Sequence, residues 1–202
     1  RGIFGESLTS DIASKYAVAY SLMFKPKTVV IGMDTRHSGP AIKMAMVNAL
    51  SCKVIDVGVL PTPAIQNAVR HFKADGGVII TASHNPSEWN GFKFLRKDGS
   101  VLYENEMEKV IAQYQKTSSK APISAKRTIA LQKRTEALDA YKEFVFSIIG
   151  KKALEVFRRL LPMKNGVDTF DCEQIPDFFA KAKEYSLLII TGNAEAKGAE
   201  GK

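Results

Sequence analysis

The stretch Gly76-Gly77-Val78-Ile79-Ile80-Thr81-Ala82-Ser83-His84-Asn85-Pro86 decides the fold, because it joins an apolar run to a polar loop. The apolar run from Gly76 to Ile80 predicts a buried strand. Proline disfavours helical backbone at the residue before it, so the chain leaves this strand in a loop. A serine with a histidine beside it is thereby placed at a strand end, where α/β sheets commonly carry their chemistry. An ordinary polar turn is the alternative that these residues alone leave open.

Two similar units precede this stretch. The runs 28–32 and 53–60 are apolar and rich in β-branched residues, as strands covered on both faces are. Helices are predicted at 40–51 and 63–72, after these strands, and from Thr9 or Ser10 to Phe24, before them. Three strand-loop-helix units predict an α/β fold with a mostly parallel sheet flanked by helices, in three α/β/α layers. The loops at the carboxyl ends of the strands then share one edge, which brings Arg36 near Ser83.

The rest of the chain is less regular. We predict a short strand at 92–95, a hairpin-type turn at 97–100 and a helix at 104–115 that buries Met107, Val110, Ile111 and Tyr114. A linker at 116–127 and a helix at 135–149 follow. Beyond Gly150 the predicted elements are helices at 153–161 and 174–185 and a strand at 187–191. We therefore predict a first domain at 1–149, an atypical extension or partial second domain at 150–191, and a disordered tail at 192–202.

Composition narrows the class of protein. The formal charge is +8, and no apolar run approaches the roughly 18 residues that a membrane span needs. The densest basic group, 116–134, lacks interleaved aromatic residues, so it does not favour nucleic-acid binding, whereas a phosphorylated substrate would suit the excess charge. Cys52 and Cys172 indicate reduced thiols in a cytoplasmic protein. The start at Arg1-Gly2, with no Met and no secretory pattern, suggests a processed or truncated N-terminus.

Six segments of the sequence, in order and at fitting distances, resemble motifs of one enzyme family. They are Arg1-Gly2, Asp34-Thr35-Arg36-His37-Ser38-Gly39, Gly58-Val59-Leu60-Pro61-Thr62-Pro63, Ala74-Asp75-Gly76-Gly77, Thr81-Ala82-Ser83-His84-Asn85-Pro86 and Trp89-Asn90-Gly91-Phe92-Lys93. The family is the α-D-phosphohexomutases: the phosphoglucomutases, phosphomannomutases and phosphoglucosamine mutases. The resemblance covers about residues 1–115 and concerns the family's first domain, which carries the catalytic serine.

The resemblance implies an intramolecular phosphotransferase that interconverts hexose 1-phosphate and hexose 6-phosphate through a phosphoserine and a bisphosphorylated sugar. It implies catalytic roles for Ser83, His84, Lys93 and Arg1, and substrate or phosphate binding by Arg36 and Asn85. Phosphoryl transfer spreads negative charge over oxygen atoms, which cationic side chains stabilise. The resemblance also implies Mg²⁺, with the oxygen of Ser83 as one ligand, and a hexose 1,6-bisphosphate as activator.

For three of these residues, a purely structural role is the alternative. Arg36 could pair only with Asp34 or Asp56 and shape its own loop. His84 could be a hydrogen-bonded loop residue with no part in proton transfer. Lys93, which stands between two phenylalanines, could be a solvent-facing lysine of an ordinary strand.

Other motifs of the family are missing from the sequence. The segment Asp168-Thr169-Phe170-Asp171 is not the metal-binding D-G-D-x-D-R run, and Thr191-Gly192-Asn193-Ala194-Glu195 is a faint echo of the R-x-S-G-T-E phosphate loop. The G-E-x-S-G-H segment that recognises the sugar is also missing, so the sequence does not choose among hexose phosphates. We therefore expect a first-domain portion that needs other mutase domains in cis or in trans. A phosphosugar-binding or regulatory module is the alternative, and a basic interaction protein is a third reading.

Overall fold

The structure is a computed structural model that describes residues 1–117 and 131–160, with 149–160 as backbone only. The chain divides into two units, Arg1–Lys142 and Glu143–Lys202. The predicted linker beyond residue 117, Cys172, and every element predicted beyond residue 161 lie outside the described residues. The predicted domain limits stay predictions.

Seven strands and five helices occur within the described residues. In chain order they are β1 (Gly2–Ile3), α1 (Ser10–Phe24), β2 (Thr28–Met33), α2 (Gly39–Ala49), β3 (Lys53–Val59), α3 (Thr62–His71), β4 (Gly76–Ile80), β5 (Trp89–Asn90), β6 (Phe92–Arg96), α4 (Glu104–Lys116), β7 (Leu131–Lys133) and α5 (Ala137–Leu160).

The main sheet has five strands in the order β6-β4-β2-β3-β7. Strands β4, β2, β3 and β7 are parallel, and β6 is antiparallel to β4. This confirms the mostly parallel sheet. Strand β7 was not predicted, because its three residues are all exposed and carry no apolar pattern.

Both faces of the sheet are covered by helices. In β2, Val29 and Ile31 belong to a core shared with α1, α2 and α4, whereas Val30 belongs to a core shared with α3. All three side chains are fully buried. Because successive strand residues point to opposite faces, a continuous apolar run is what a strand between two helical layers needs. The predicted three-layer α/β/α architecture is confirmed.

Helix α1 begins and ends as predicted. The hydroxyl of Thr9 accepts the Ile12 N–H at 3.2 Å, which satisfies one of the free donors of the first turn. Lys25 adopts left-handed backbone (φ 46°) immediately before Pro26 and closes the helix.

Two helical details differ from the predictions. Ile111 is 38 % exposed, because Met107, Val110 and Tyr114 define the face of α4 that packs on the core and leave Ile111 beside it. Helix α5 passes through Gly150 without a break, although separate helices were predicted on either side. A glycine inside a helix costs only about 1 kcal/mol relative to alanine, which a long helix tolerates.

None of the helices in the described ranges is long and apolar enough to cross a membrane.

Cys52, just before β3, is expected to be a slow nucleophile. Burial, with the negative charge of Asp75 as a smaller cause, raises the pKa of its thiol to about 11. The thiolate is the reactive form, so alkylation of native Cys52 at pH 8 should be about a hundredfold slower than in the urea-unfolded chain. Mass spectrometry of the Cys52 peptide after iodoacetamide treatment measures both rates. The native rate should rise about tenfold per pH unit up to pH 11; equal native and unfolded rates at pH 8 would contradict the raised pKa.

Candidate active site

Ser83 lies on the loop that follows β4, at the carboxyl edge of the parallel strands. Its side chain is exposed, and its backbone is left-handed, with φ 60°. This conformation costs a residue other than glycine about 1–2 kcal/mol, so the surrounding structure must hold it. One such contact is made by the Ser83 N–H, which donates to the hydroxyl of Thr81 at 2.9 Å.

Arg36, from the loop after β2, makes five further hydrogen bonds through its side chain, four of them with this loop. Strands β2 and β4 are parallel neighbours, so their following loops meet at one edge, as predicted. The guanidinium Nε donates to Asp34 Oδ2 at 3.1 Å. The two Nη atoms donate to four backbone carbonyls of the serine loop: those of Ser83 (2.9 Å), Asn85 (2.6 Å), Trp89 (2.8 Å) and Pro86.

These contacts bear on the alternatives that the sequence left open for Arg36. Pairing with Asp34 is present, and it is part of a wider set of loop contacts. Pairing with Asp56 is wrong: Asp56 is buried, pairs with Lys43 at 2.8 Å and accepts the N–H of Gly58 at 2.9 Å.

The two residues after the serine, His84 and Asn85, differ in the partners of their side chains. His84 is exposed, and its Nδ1 lies 3.4 Å from the Ser83 hydroxyl oxygen, with the direction of the proton set by the tautomer of the ring. Asn85 turns its side-chain carbonyl oxygen toward Arg1, whose Nη1 lies 3.4 Å away. The side chain of His84 is thus placed beside the Ser83 hydroxyl, and that of Asn85 beside Arg1.

Arg1 reaches the serine loop through a short strand pair that was not predicted. Strands β1 and β5 are antiparallel, with Gly2 opposite Asn90. Two-residue strands carry too little periodicity to be recognised in a sequence. Gly91 allows the close approach, because a Cβ there would lie 3.1 Å from the Cα of Arg1 and 3.0 Å from its Cγ.

Lys93 lies on β6, the strand beside β4. It stands opposite Ile79, one residue before the end of β4, and its neighbours Phe92 and Phe94 belong to the core on the other face. Lys93 is half-buried, and its side chain makes no hydrogen bond or ion pair with any described residue. No described carboxylate pairs with Lys93 or with Arg1, which contacts the loop through Asn85, whereas Arg36 is paired with Asp34.

Sequence reasoning gave no role to Asn90, which is fully buried beneath the loop. Its side-chain N–H donates to the hydroxyl of Ser38 at 2.8 Å, and its side-chain carbonyl accepts the Gly91 N–H at 2.8 Å. Asn90 thus connects the segment after the serine to the residue that precedes α2. Its place in the Trp89-Asn90-Gly91 segment, directly before Lys93, was the available indication.

The described residues do not supply a magnesium site. Within them, no group of three or more His, Cys, Asp or Glu residues is placed to hold a metal ion. Of the implied ligand set, they offer only the oxygen of Ser83, and Mg²⁺ takes six oxygen ligands in octahedral geometry. This donor set does not fit the ion.

Fold and site together define a class: a three-layer α/β/α domain that presents an exposed, left-handed serine at the carboxyl edge of its sheet, on a loop that Arg1 and Arg36 contact. The family model "Phosphoglucomutase/phosphomannomutase, alpha/beta/alpha domain I" matches residues 1–121. The chain belongs to this family and contains its first domain.

Similar proteins agree with this membership. A phosphoglucomutase/phosphomannomutase of Thermococcus kodakarensis is 46 % identical over 119 residues, which cover 55 % of this chain and 26 % of that protein. A phosphoglucosamine mutase of Clostridium botulinum is 35 % identical over 176 residues, which cover 82 % and 39 %. A solved structure from Thermus thermophilus, provisionally described as a phosphomannomutase, matches with a TM-score of 0.66 and 28 % identity over 76 % of this chain and 35 % of that one. The chain thus spans well under half the length of these proteins.

Proposed function

We propose that this chain is the phosphoryl-carrying domain of a phosphohexomutase, which interconverts hexose 1-phosphate and hexose 6-phosphate. One observation carries the proposal: the peptide groups on both sides of Ser83 are hydrogen-bonded to the protein while its hydroxyl stays exposed. The backbone of the nucleophile is thereby fixed, and the hydroxyl remains open to a substrate. Family membership supplies the class of substrate.

In the proposed step, the Ser83 oxygen attacks the phosphorus of one phosphate ester on a hexose bisphosphate. The bond from phosphorus to the serine oxygen forms as the bond from phosphorus to the sugar oxygen breaks. His84 Nδ1, in the tautomer that lacks a proton there, takes the hydroxyl proton and returns it to the leaving sugar oxygen. The reverse step passes the phosphoryl group from Ser83 to a hydroxyl of the sugar monophosphate.

The remaining roles follow from charge. Arg1 and Lys93 stabilise the negative charge on the transferred group, because no described carboxylate neutralises them. Asn85, whose side-chain oxygen accepts from Arg1 and which follows Ser83 by two residues, holds a phosphate oxygen through its amide N–H.

Complete turnover requires more than this chain. The relatives extend well beyond the region of similarity, so we propose that further mutase domains act in cis or in trans. Mg²⁺ as cofactor, a hexose 1,6-bisphosphate as activator and a cytoplasmic location belong to this proposal.

The test is direct phosphorylation of the protein. The chain is incubated with glucose 1,6-bisphosphate and Mg²⁺, alone and together with candidate missing domains, and peptides are mapped by mass spectrometry. One phosphate on Ser83 is expected, with isomerised sugar phosphate only when the other domains are present. If Ser83 takes no phosphate under any pairing while glucose 6-phosphate still binds, the chain is a phosphosugar-binding module and not a phosphoryl carrier.

Lys93→Met is expected to slow the phosphorylation of Ser83 by about 10- to 100-fold, because removal of one electrostatic stabiliser of a transition state has effects of this order. The initial rate of phosphate incorporation at saturating glucose 1,6-bisphosphate measures it.

Lys97→Met is the matched control, since it removes the same charge from the exposed turn after β6. Equal rates in the two variants would assign Lys93 to an ordinary strand surface.

A further inference from the structure

We propose that Arg36 is a positioning residue, which holds the Ser83 loop in its reactive shape and does not bind the transferred phosphate. The holding of the loop rests on contacts within the chain alone. Its effect on phosphoryl transfer rests on the proposed function.

All five N–H donors of the Arg36 guanidinium are already in use. A guanidinium has five N–H groups in a fixed plane, and Arg36 directs one at Asp34 and four at loop carbonyls. A phosphate oxygen could gain a hydrogen bond from Arg36 only if a carbonyl lost one. The side chain is also only 11 % exposed.

Asp34 fixes Arg36 in place and neutralises its charge. Its Oδ2 atom accepts from the Nε of Arg36, and its Oδ1 atom accepts from the backbone N–H of Arg36 at 3.1 Å. The carboxylate therefore fixes both the side chain and the main chain of Arg36 and balances its charge. The guanidinium of Arg36, because it is paired with Asp34, attracts a phosphate dianion more weakly than the side chain of Arg1 or Lys93 does.

The backbone of Ser83 is strained, and Arg36 helps to hold it. Its left-handed conformation is held by Thr81 on the N–H side and by Arg36 on the carbonyl side. Without Arg36, Ser83 can relax to ordinary backbone angles, which turns its hydroxyl away from the position that it now has. A displacement of about 1 Å in a reacting group can cost about a hundredfold in rate.

Trp89 supplies a measurement that does not depend on catalysis. It is the sole tryptophan of the chain, and its carbonyl accepts from Arg36. We compare tryptophan emission, acrylamide quenching and amide exchange of the peptide 83–91 in the unaltered chain, Arg36→Ala, Arg36→Lys and the control Arg70→Ala, which removes the same charge from an exposed position of α3. Arg36→Ala should raise the quenching constant about twofold and speed exchange of the peptide about tenfold or more, while Arg70→Ala should change neither.

The kinetic measurement separates positioning from binding. For Arg36→Ala, the maximal rate of Ser83 phosphorylation should fall about a hundredfold, while the half-saturating concentration of glucose 1,6-bisphosphate changes less than about threefold. Arg36→Lys keeps the charge but lacks the planar set of five donors, so it should restore neither the Trp89 quenching nor the rate. Full rescue by lysine would show that the charge matters and would overturn the proposal.

Unchanged Trp89 quenching and unchanged exchange in Arg36→Ala would likewise overturn it. If Arg36→Ala does not fold, Asp34→Asn is the second variant, which weakens the hold on Nε and keeps Arg36 itself. Its loop exchange should rise about threefold or more, and exchange at the unaltered rate would count against the proposal. Absence of phosphate on the unaltered chain under every pairing with candidate domains would refute the proposed function, and the Trp89 and exchange results would still decide whether Arg36 holds the loop.

Discussion

Ser83→Ala is expected to abolish phosphate incorporation from glucose 1,6-bisphosphate, a loss of at least about a thousandfold. The hydroxyl is the proposed acceptor of the phosphoryl group, and no neighbouring group replaces a missing nucleophile. Mass spectrometry of the loop peptide measures the remaining phosphate. Alanine retains the backbone N–H and carbonyl that contact Thr81 and Arg36, so the melting temperature should change little.

Ser87→Ala is the matched control, because Ser87 is a second exposed serine of the same loop. It should incorporate phosphate at the unaltered rate. Phosphate that persists in Ser83→Ala would refute the assignment of the site, and loss in Ser87→Ala alone would move it to Ser87.

Gly76→Ala is expected to lower the free energy of unfolding by about 3 kcal/mol. A Cβ at this position would lie 2.0 Å from the hydroxyl oxygen of Tyr20 and 2.7 Å from the carbonyl oxygen of Leu95. Both groups are buried, and they are hydrogen-bonded to each other at 3.1 Å. Overpacking costs about 1–3 kcal/mol and a broken buried hydrogen bond about 1–3 kcal/mol, which together exceed the gain of up to about 1 kcal/mol from restricting the unfolded chain. Urea unfolding followed by circular dichroism measures the change.

The double variant Gly76→Ala with Tyr20→Phe isolates the cause. Tyr20→Phe alone should cost about 1 kcal/mol, and the pair should cost less than the sum of the two single changes, because the clash with the hydroxyl is gone. Additive costs would show that the clash with the Leu95 carbonyl accounts for the whole effect.

The helices and strands of the first unit were predictable because residues close together in the sequence determine each of them. The apolar runs of β2, β3 and β4 need two covered faces, and Thr9 and Pro26 limit α1 through hydrogen bonding and ring geometry. The meeting of Arg36 and Ser83 at one edge followed from topology alone. The mostly parallel sheet and the family could therefore be predicted from the sequence.

The missed features share a different cause. Strand β7 and the β1–β5 pair are two or three residues long, and pairing with distant strands defines them more than their own side chains do. The partners of Arg36 were equally hidden, because four of them are backbone carbonyls, which every residue possesses. A sequence cannot mark an acceptor that all twenty residue types carry.

Because Arg36 donates to main-chain oxygens, its contacts fix the backbone of the loop, whereas the side chains of the loop determine what the loop can bind. The hydrogen bonds from Arg36 to positions 85 and 89 use main-chain carbonyls, so they do not depend on which side chains occupy these two positions. Substitutions there can alter what the loop recognises and leave its framework in place. A variant library at positions 85 and 89 should therefore yield many folded proteins, as in an antibody whose framework carries interchangeable loops.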